Sequence, residues 1–357
     1  MTTIRPSMMQ SIINSLNNML GPALPIFMFV IGAILLLWGG HLLVKGAVTI
    51  ARRMGVPILL IGLTVVAAGT SSPELAFNIF AAWKGNGTMC FGNVVGSNIA
   101  NIGLVLGISA LAGPLTVHSR LLRRELPWLI GITILMLALA GLGPMFSYRD
   151  QLVSGFTRWE GLILLAFFCL ILWFWFRQSR KDASDPLVQE AKETAIAEAI
   201  GTLVGAWFAF MLGLACLLAG GYLAKVGAVS FAQQLGLSEA LIGLTIVAIA
   251  TSLPEVITSW IACRKGYCDL AIGNVVGSNL FNILLVLGVT SVGWDIPMPV
   301  QWGWFDLFAM LALTIILFPI ALSNQKRITR TEGGMLLFAY VLYMTFSVLR
   351  EYFPDWF

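Results

Sequence analysis

Two glutamates stand in matching pentads, Thr70-Ser71-Ser72-Pro73-Glu74 and Thr251-Ser252-Leu253-Pro254-Glu255, inside otherwise aliphatic stretches. In helical geometry Thr70 and Glu74 lie at i and i+4 and share one face, as do Thr251 and Glu255. Each proline lacks an N–H and crowds the carbonyl four residues back, so Gly69 and Ala250 should each keep a freed backbone oxygen. A carboxylate, hydroxyls and unpaired carbonyls in one small volume suit a hard cation.

A second motif, Gly92-Asn93-Val94-Val95-Gly96-Ser97-Asn98 followed by Asn101, recurs as Gly273-Asn274-Val275-Val276-Gly277-Ser278-Asn279 followed by Asn282. Its GxxxG spacing lets another helix approach closely, and packing alone would explain the glycines. Packing does not explain Ser97 with Asn101, or Ser278 with Asn282, because an amide without a partner is costly in hydrocarbon. These pairs, again at i and i+4, add neutral oxygens on one face. His, Cys and Met are missing from both the TSxPE and the GSNxxN segments, which disfavours soft metals. Calcium accepts many oxygens in flexible geometry, whereas magnesium demands a tight octahedron. Calcium with sodium is therefore the leading pair of ions, and H+ is the alternative to sodium because burial favours an uncharged acid.

An acidic group at the bilayer centre is penalised by about 2.5–3.5 kcal/mol on insertion scales, so it normally faces a partner or a polar pathway. Neither pentad contains a Lys or Arg. The missing partner should be the cargo. Two carboxylates against one divalent cation sum to zero, so the loaded site is cheap to occlude and the empty, ionised site is not. That asymmetry favours exchange over leak.

The elements that must position these residues follow from composition. The chain has 357 residues, 58% hydrophobic and 11% charged, where a soluble domain carries about 25% charge. This excludes a nucleic-acid binder, a disordered regulator and a secreted disulfide scaffold. Its five cysteines, Cys90, Cys169, Cys216, Cys263 and Cys268, read as small buried hydrophobes. A spanning helix needs about 20 apolar residues. Ten such stretches can be drawn: 24–48, 57–82, 90–113, 126–143, 159–177, 200–225, 238–262, 271–293, 303–322 and 334–350. The second, third, seventh and eighth are interrupted by Gly, Pro and polar residues that a plain lipid-facing anchor avoids.

Residues 62–107 align without a gap to 243–288 at offset 181, with 25 of 46 positions identical; skewed composition alone supplies roughly a tenth. The same offset relates Gly39-Gly40 to Gly220-Gly221. Five spans separate equivalent positions, an odd number, so the second copy sits upside down relative to the first. Inverted repeats with broken helices are a recurrent transporter design, although duplication could also leave a mere scaffold. The predicted fold is thus an all-α polytopic membrane protein: ten transmembrane helices in two inverted five-helix repeats, with helices 2, 3, 7 and 8 broken. The expected organisation is an N-terminal segment 1–22 with an interfacial helix over Ser7 to Leu20, a first repeat 23–177, a cytoplasmic linker 178–199 and a second repeat 200–357.

With the amino terminus outside, the cytoplasmic loops collect fourteen Lys and Arg, among them Arg52, Arg53, Arg264 and Lys265, against six outside, with Lys45 near the end of helix 1. The bias favours both termini outside. Trp128, Trp159, Trp294 and Trp302 fit an interfacial belt; His41 and His118 read as packing or surface residues. HExxH, GxSxG and Walker A patterns are absent, so no enzyme or NTP-driven pump is indicated.

The paired segments GLTVVAAGTSSPE with GNVVGSNIAN, and GLTIVAIATSLPE with GNVVGSNLFN, resemble the two alpha repeats of the sodium/calcium exchanger family, within the wider cation/calcium antiporter superfamily. The ten-helix layout is similar to its compact prokaryotic members. The resemblance implies alternating access, with the first and sixth helices sliding against a bundle of the other eight. It places the central glutamates on Glu74 and Glu255. It places hydroxyl ligands on Thr70, Ser71, Thr251, Ser252, Ser97 and Ser278, backbone ligands on Ala67 and Ala248, and further polar positions on Asn101 and Asn282. In some relatives, including potassium-dependent ones, the position of Asn282 is acidic, and an amide here argues against potassium dependence. Ser72 replaces the commoner Leu of TSLPE, at a site expected to sit behind the ligands. The large cytoplasmic regulatory domains of animal exchangers have no room here.

The expected function is a secondary antiporter exchanging Ca2+ for Na+ at a midplane site in a bacterial inner membrane. A Ca2+/H+ antiporter on the same scaffold is the nearest alternative; a cation channel and a non-transporting scaffold stand further off. Expected partners are Ca2+, Na+ or H+, and the lipid bilayer, with no cofactor, nucleic acid or protein partner.

Overall fold

The computed structural model describes residues 23–117, 119, 121–146, 155–182, 202–234 and 251–353. The segment expected as an interfacial helix, most of the linker, His118, Ala248 and Ala250 lie outside these residues. Six helices precede residue 235: α1 (Ala23–Met54), α2 (Ile58–Trp83), α3 (Gly87–Ala112), α4 (Leu121–Gly141), α5 (Arg158–Trp175) and α6 (Leu203–Gln234). After it come α7, described over Leu253–Arg264, α8 (Cys268–Gly293), α9 (Gly303–Lys326) and α10 (Arg330–Arg350). All except α7 are long and apolar enough among the described residues to cross a membrane.

Three expectations need adjustment. Helices α1 and α6 run on past 48 and 225, to Met54 and Gln234, with 32 residues each. At about 1.5 Å per residue that is ~48 Å, more than the ~30 Å of hydrocarbon, so both must tilt or emerge. The fifth helix extends to Asp182, through residues assigned to the linker, because nothing between Arg177 and Asp182 breaks a helix. The fold also contains two two-residue ribbons, β1 (Leu115–Thr116) paired with β4 (Arg327–Ile328), and β2 (Gly155–Phe156) paired with β3 (Ile296–Pro297), both antiparallel.

Glycines at a seven-residue spacing hold α1 against α6. A Cβ on Gly39 would lie 2.8 Å from both the Gly213 oxygen and Cys216 Cβ; on Gly32, 2.4 Å from Ala224 N; on Gly46, 2.6 Å from Phe210 N. Gly213, Gly220 and Gly227 are the equivalents of Gly32, Gly39 and Gly46 at offset 181, and a Cβ on each would lie within 2.8 Å of α1 backbone. Rising numbers on one helix meet falling numbers on the other, so the pair is antiparallel, and only hydrogen side chains allow this backbone contact. Gly40 instead faces Ile257 and Ile261 on α7, and Gly221 faces Pro254.

The two-fold relation extends past the residues that repeat at offset 181. Thr157-Arg158-Trp159-Glu160-Gly161 and Thr329-Arg330-Thr331-Glu332-Gly333 match at offset 172. In each, the threonine N–H donates to the glutamate Oε2 at 2.8 Å, which starts α5 and α10 alike. Gly161 then packs on the Gly288 oxygen and Gly333 on the Gly107 oxygen, and these two are themselves equivalents. The ribbons obey the same symmetry.

At one end of α9 and α10, Arg350 grips Asp306 with two bonds of 2.8 and 2.9 Å, and Tyr343 donates to the same carboxylate at 3.0 Å. Trp302, expected in the belt, stacks on the Arg350 guanidinium at 5.5 Å, whereas Trp159 is exposed as a belt residue should be. Arg350→Met leaves a buried carboxylate without its charge partner, so it should destabilise the protein by about 3–5 kcal/mol. Thermal denaturation in detergent checks this: a clear fall in Tm is expected, and an unchanged Tm would contradict it.

Candidate cation site

The breaks fall where the prolines require them. Helix α2 begins with Ile58–Ile61, widens into a π turn over Gly62–Val66, resumes over Ala67–Thr70 and stops at Ser71 with φ −83° and ψ 2°. It restarts over Ser72–Trp83, and α7 restarts at Leu253 from Ser252 with nearly the same angles, φ −89° and ψ 2°. Glu74 and Glu255 therefore occupy the first turns of short helices, where the end of the helix dipole favours a carboxylate. In α3 and α8 the π turns Asn101–Val105 and Asn282–Leu287 open on the two equivalent asparagines. A π turn inserted in an α-helix often marks a functional position.

Close backbone approach brings the two repeats together. A Cβ on Gly273 would lie 2.7 Å from the Leu59 oxygen, and one on Gly277 would lie 2.5 Å from the Leu63 oxygen. The GxxxG of α8 thus admits the first half of α2. The equivalent contacts of Gly92 and Gly96 would fall on residues outside those described. As a result Thr70 Oγ1 donates to Asn274 Oδ1 at 3.1 Å and lies 3.4 Å from Ser278 Oγ. Asn274 Nδ2 donates in turn to Ser259 Oγ at 3.1 Å. The Thr70 hydroxyl also stands beside the Glu255 carboxylate.

Most of the expected site residues are individually buried: Ala67, Thr70, Ser71, Glu74, Ser97, Asn101, Ser252, Glu255, Ser278 and Asn282. Thr251 is half-buried. Among the described residues several of their oxygens have no hydrogen-bond partner, namely Ser71 Oγ, Glu74 Oε2, Glu255 Oε2 and Asn282 Oδ1. Ser72, expected behind the ligands, is exposed and donates to the Ala68 oxygen at 2.7 Å. The Ala67 oxygen accepts the Ser71 N–H at 2.9 Å and lies 3.5 Å from the Thr70 hydroxyl.

Asn101 serves a cross-repeat bond, donating to Asn279 Oδ1 at 2.9 Å. The mirror bond is not made, because Asn98 Oδ1 has no partner.

Sequence reasoning passed over Asn274, Asn279, Asn78, Thr258 and Ser259 as site residues. Asn78 Oδ1 and Thr258 Oγ1 are buried without partners. The signal was available. Asn274 and Asn279 belong to the repeated GNVVGSN, and Asn78 and Ser259 are equivalent positions four residues after each glutamate.

Among the described residues no three His, Cys, Asp or Glu side chains cluster as metal ligands. A cation here would meet two carboxylates and otherwise neutral oxygens, a balance that permits release as well as capture. A cavity of about 170 Å³, lined by Pro73, Phe77, Leu218, Gly221, Tyr222, Lys225, Thr251 and Pro254, reaches the pentads from the α6 side.

The chain matches the family model described as sodium/calcium exchanger protein over residues 24–177 and 205–349. It is 40% identical over 318 residues to a protein named CaxA from Alkalimonas amylolytica, covering 88% of this chain and 95% of that one. It is 32% identical over 344 residues to the sodium/calcium exchanger MaX1 of Methanosarcina acetivorans, covering 88% and 95%. A solved structure of the sodium-calcium exchanger NCX_Mj superposes with a TM-score of 0.74 at 29% identity, covering 90% of this chain and 98% of that one. Broken helices, inverted repeats and these matches agree: the chain belongs to the sodium/calcium exchanger family, whose members are ion transporters and not enzymes.

Proposed function

We propose that the protein exchanges Ca2+ for Na+ at a site centred on Glu74 and Glu255. The observation that carries this reading is the pair of buried carboxylate oxygens, Glu74 Oε2 and Glu255 Oε2, with no hydrogen-bond partner among the described residues. Ionised carboxylates so placed demand a counter-charge. The ligands we assign are Glu74, Glu255, Thr70, Ser71, Thr251, Ser252, Ser97, Ser278, Asn101 and Asn282, with the Ala67 and Ala248 carbonyls. The sodium/calcium exchanger name of MaX1 and of NCX_Mj supports the choice of ions.

Protons compete for the two carboxylates, and H+ coupling is the alternative. Sodium is favoured because the hydroxyl and amide oxygens around them coordinate a metal ion and have no use in carrying a proton. The test is radioactive Ca2+ uptake into proteoliposomes loaded with Na+, with the pH gradient collapsed. Uptake should follow the sodium gradient. Uptake that ignores sodium and tracks an imposed pH gradient would reverse the assignment.

Unequal packing at equivalent positions supports alternating access. A Cβ on Gly40 would press on Ile261 Cδ1 at 2.6 Å and Ile257 Cγ2 at 2.9 Å, whereas one on Gly221 would meet only Pro254, at 3.8 Å, among the described residues. Ala76 and Phe80, the equivalents of Ile257 and Ile261, do not close on Gly221, and the cavity opens beside it. One side is shut while its mirror image is open. The second state would exchange these roles as α1 and α6 slide together. By the loop charges both termini lie outside and the open side faces outward. We place the protein in a bacterial inner membrane.

Asn274 is a positioning residue in this scheme. It accepts from the Thr70 hydroxyl and is itself held by Ser259, which fixes where the Thr70 oxygen stands beside the ion. Asn274→Leu should raise half-saturating Ca2+ about tenfold, the effect of one misdirected ligand. A concentration series of initial uptake rates reads this, and an unchanged half-saturation would remove Asn274 from the site.

A further inference from the structure

The turn joining α7 to α8 holds two thiols in contact. Cys263 Sγ and Cys268 Sγ are 2.9 Å apart. Cys263 is 6% exposed and Cys268 is half-buried. The turn is fixed by its backbone: Gly266 takes φ +83°, its N–H reaches the Cys263 oxygen at 2.9 Å, and the Tyr267 N–H reaches the Ala262 oxygen at 2.9 Å. The sulfurs need to close by less than about 1 Å to reach a covalent S–S separation. The equivalent positions of the first repeat are Ala82 and Gly87, so only one side of the membrane carries this pair. Arg264 and Lys265 stand between the two cysteines in the sequence, and Asp269 follows Cys268.

The thiols also anchor the turn. Cys263 Sγ lies 3.5 Å from the Gly113 oxygen and Cys268 Sγ lies 3.7 Å from the Pro114 oxygen, both just beyond the end of α3. A disulfide has no S–H and donates to neither. It would also tie the end of α7 to the start of α8, while Ile257 and Ile261 on α7 form the closed contact with Gly40.

We propose that Cys263 and Cys268 form a reversible redox site, converted to an intramolecular disulfide by a small disulfide of the glutathione class, and that this conversion slows exchange. The Cys268 thiolate attacks one sulfur of the small disulfide and expels one small thiolate, giving a mixed disulfide. The Cys263 thiolate then attacks the Cys268 sulfur and expels the second small thiol. Two protein thiols are oxidised, one small disulfide is reduced to two thiols, and the two protons pass to the leaving thiolates. On the orientation given by the loop charges the site faces the cytoplasm, where such bonds are transient and sensing rather than structural.

The test uses the full chain in proteoliposomes, with glutathione disulfide on both sides, followed by alkylation and peptide mass mapping. Cys263 and Cys268 should lose alkylation together as a linked peptide pair, and a dithiol reductant should restore both. Cys263→Ser should instead leave a glutathione adduct on Cys268. Both residues staying alkylated, or each carrying its own adduct in the unsubstituted protein, would overturn the site. Uptake should fall about fivefold on oxidation and remain unchanged in Cys263→Ser; equal uptake before and after oxidation would overturn the regulatory half. The uptake arm rests on the proposed exchange activity, whereas the thiol map does not, so the two fail separately.

Discussion

Glu74→Gln and Glu255→Gln should each abolish calcium exchange while leaving a folded protein. Glutamine keeps the volume and one oxygen of the acid but removes the charge that a dication must meet in a dry site. Breaking one such buried charge pair costs about 3–5 kcal/mol, roughly two to four orders of magnitude in affinity. The cation-free protein should behave in the opposite way. An amide is cheaper than a carboxylate in the membrane interior, and the Glu74 and Glu255 carboxylates each have an oxygen with no partner. Its Tm without added cations should therefore equal or exceed that of the unsubstituted protein, and the Ca2+-dependent rise in Tm should vanish. Loss of uptake together with a lower Tm and poor folding would instead mark the glutamates as structural.

Gly213→Val should be the most damaging change outside the cation site. A Cβ at Gly213 would sit 2.4 Å from Leu43 N and 2.7 Å from the Gly39 oxygen, and neither atom belongs to a side chain that can rotate aside. The helices must separate, which costs the packing along 32 residues of each, well beyond the about 1–3 kcal/mol of ordinary overpacking. Little folded protein should survive solubilisation, and Gly39→Val should behave alike. Gly334→Ala is the control: it meets nothing within 4 Å among the described residues, so it should be neutral or stabilising by about 0.5–1 kcal/mol. Size-exclusion profiles and Tm values read the contrast; a monodisperse Gly213→Val protein with unaltered Tm would contradict the glycine contact.

Much of the fold could be read before any coordinates. The spans follow from apolar runs, and the inverted duplication follows from 25 identities in 46 at one offset. The prolines at 73 and 254 announced the breaks because proline physically removes the hydrogen bond. What escaped notice depends on three-dimensional pairing. The match of Thr157 to Thr329 sits at offset 172, nine residues out of step, so a fixed shift of 181 passes over it. The glycines of α1 and α6 repeat every seven residues, but only their antiparallel docking shows which atoms they spare. Asn274 looked like part of a packing motif until its amide was found between Thr70 and Ser259. Cys263 and Cys268 read from the sequence as buried hydrophobes; a turn with a positive φ at Gly266 turns them toward each other. Cys169, also expected to be buried, is exposed on α5.

The account depends most on buried carboxylates neutralised by mobile cations, and equilibrium binding of radioactive Ca2+ to the purified protein over a sodium titration tests that directly. Saturable binding that sodium displaces, and that disappears when Glu74 and Glu255 are both glutamine, is the predicted result. Calcium retained by the doubly substituted protein with the same affinity would contradict it.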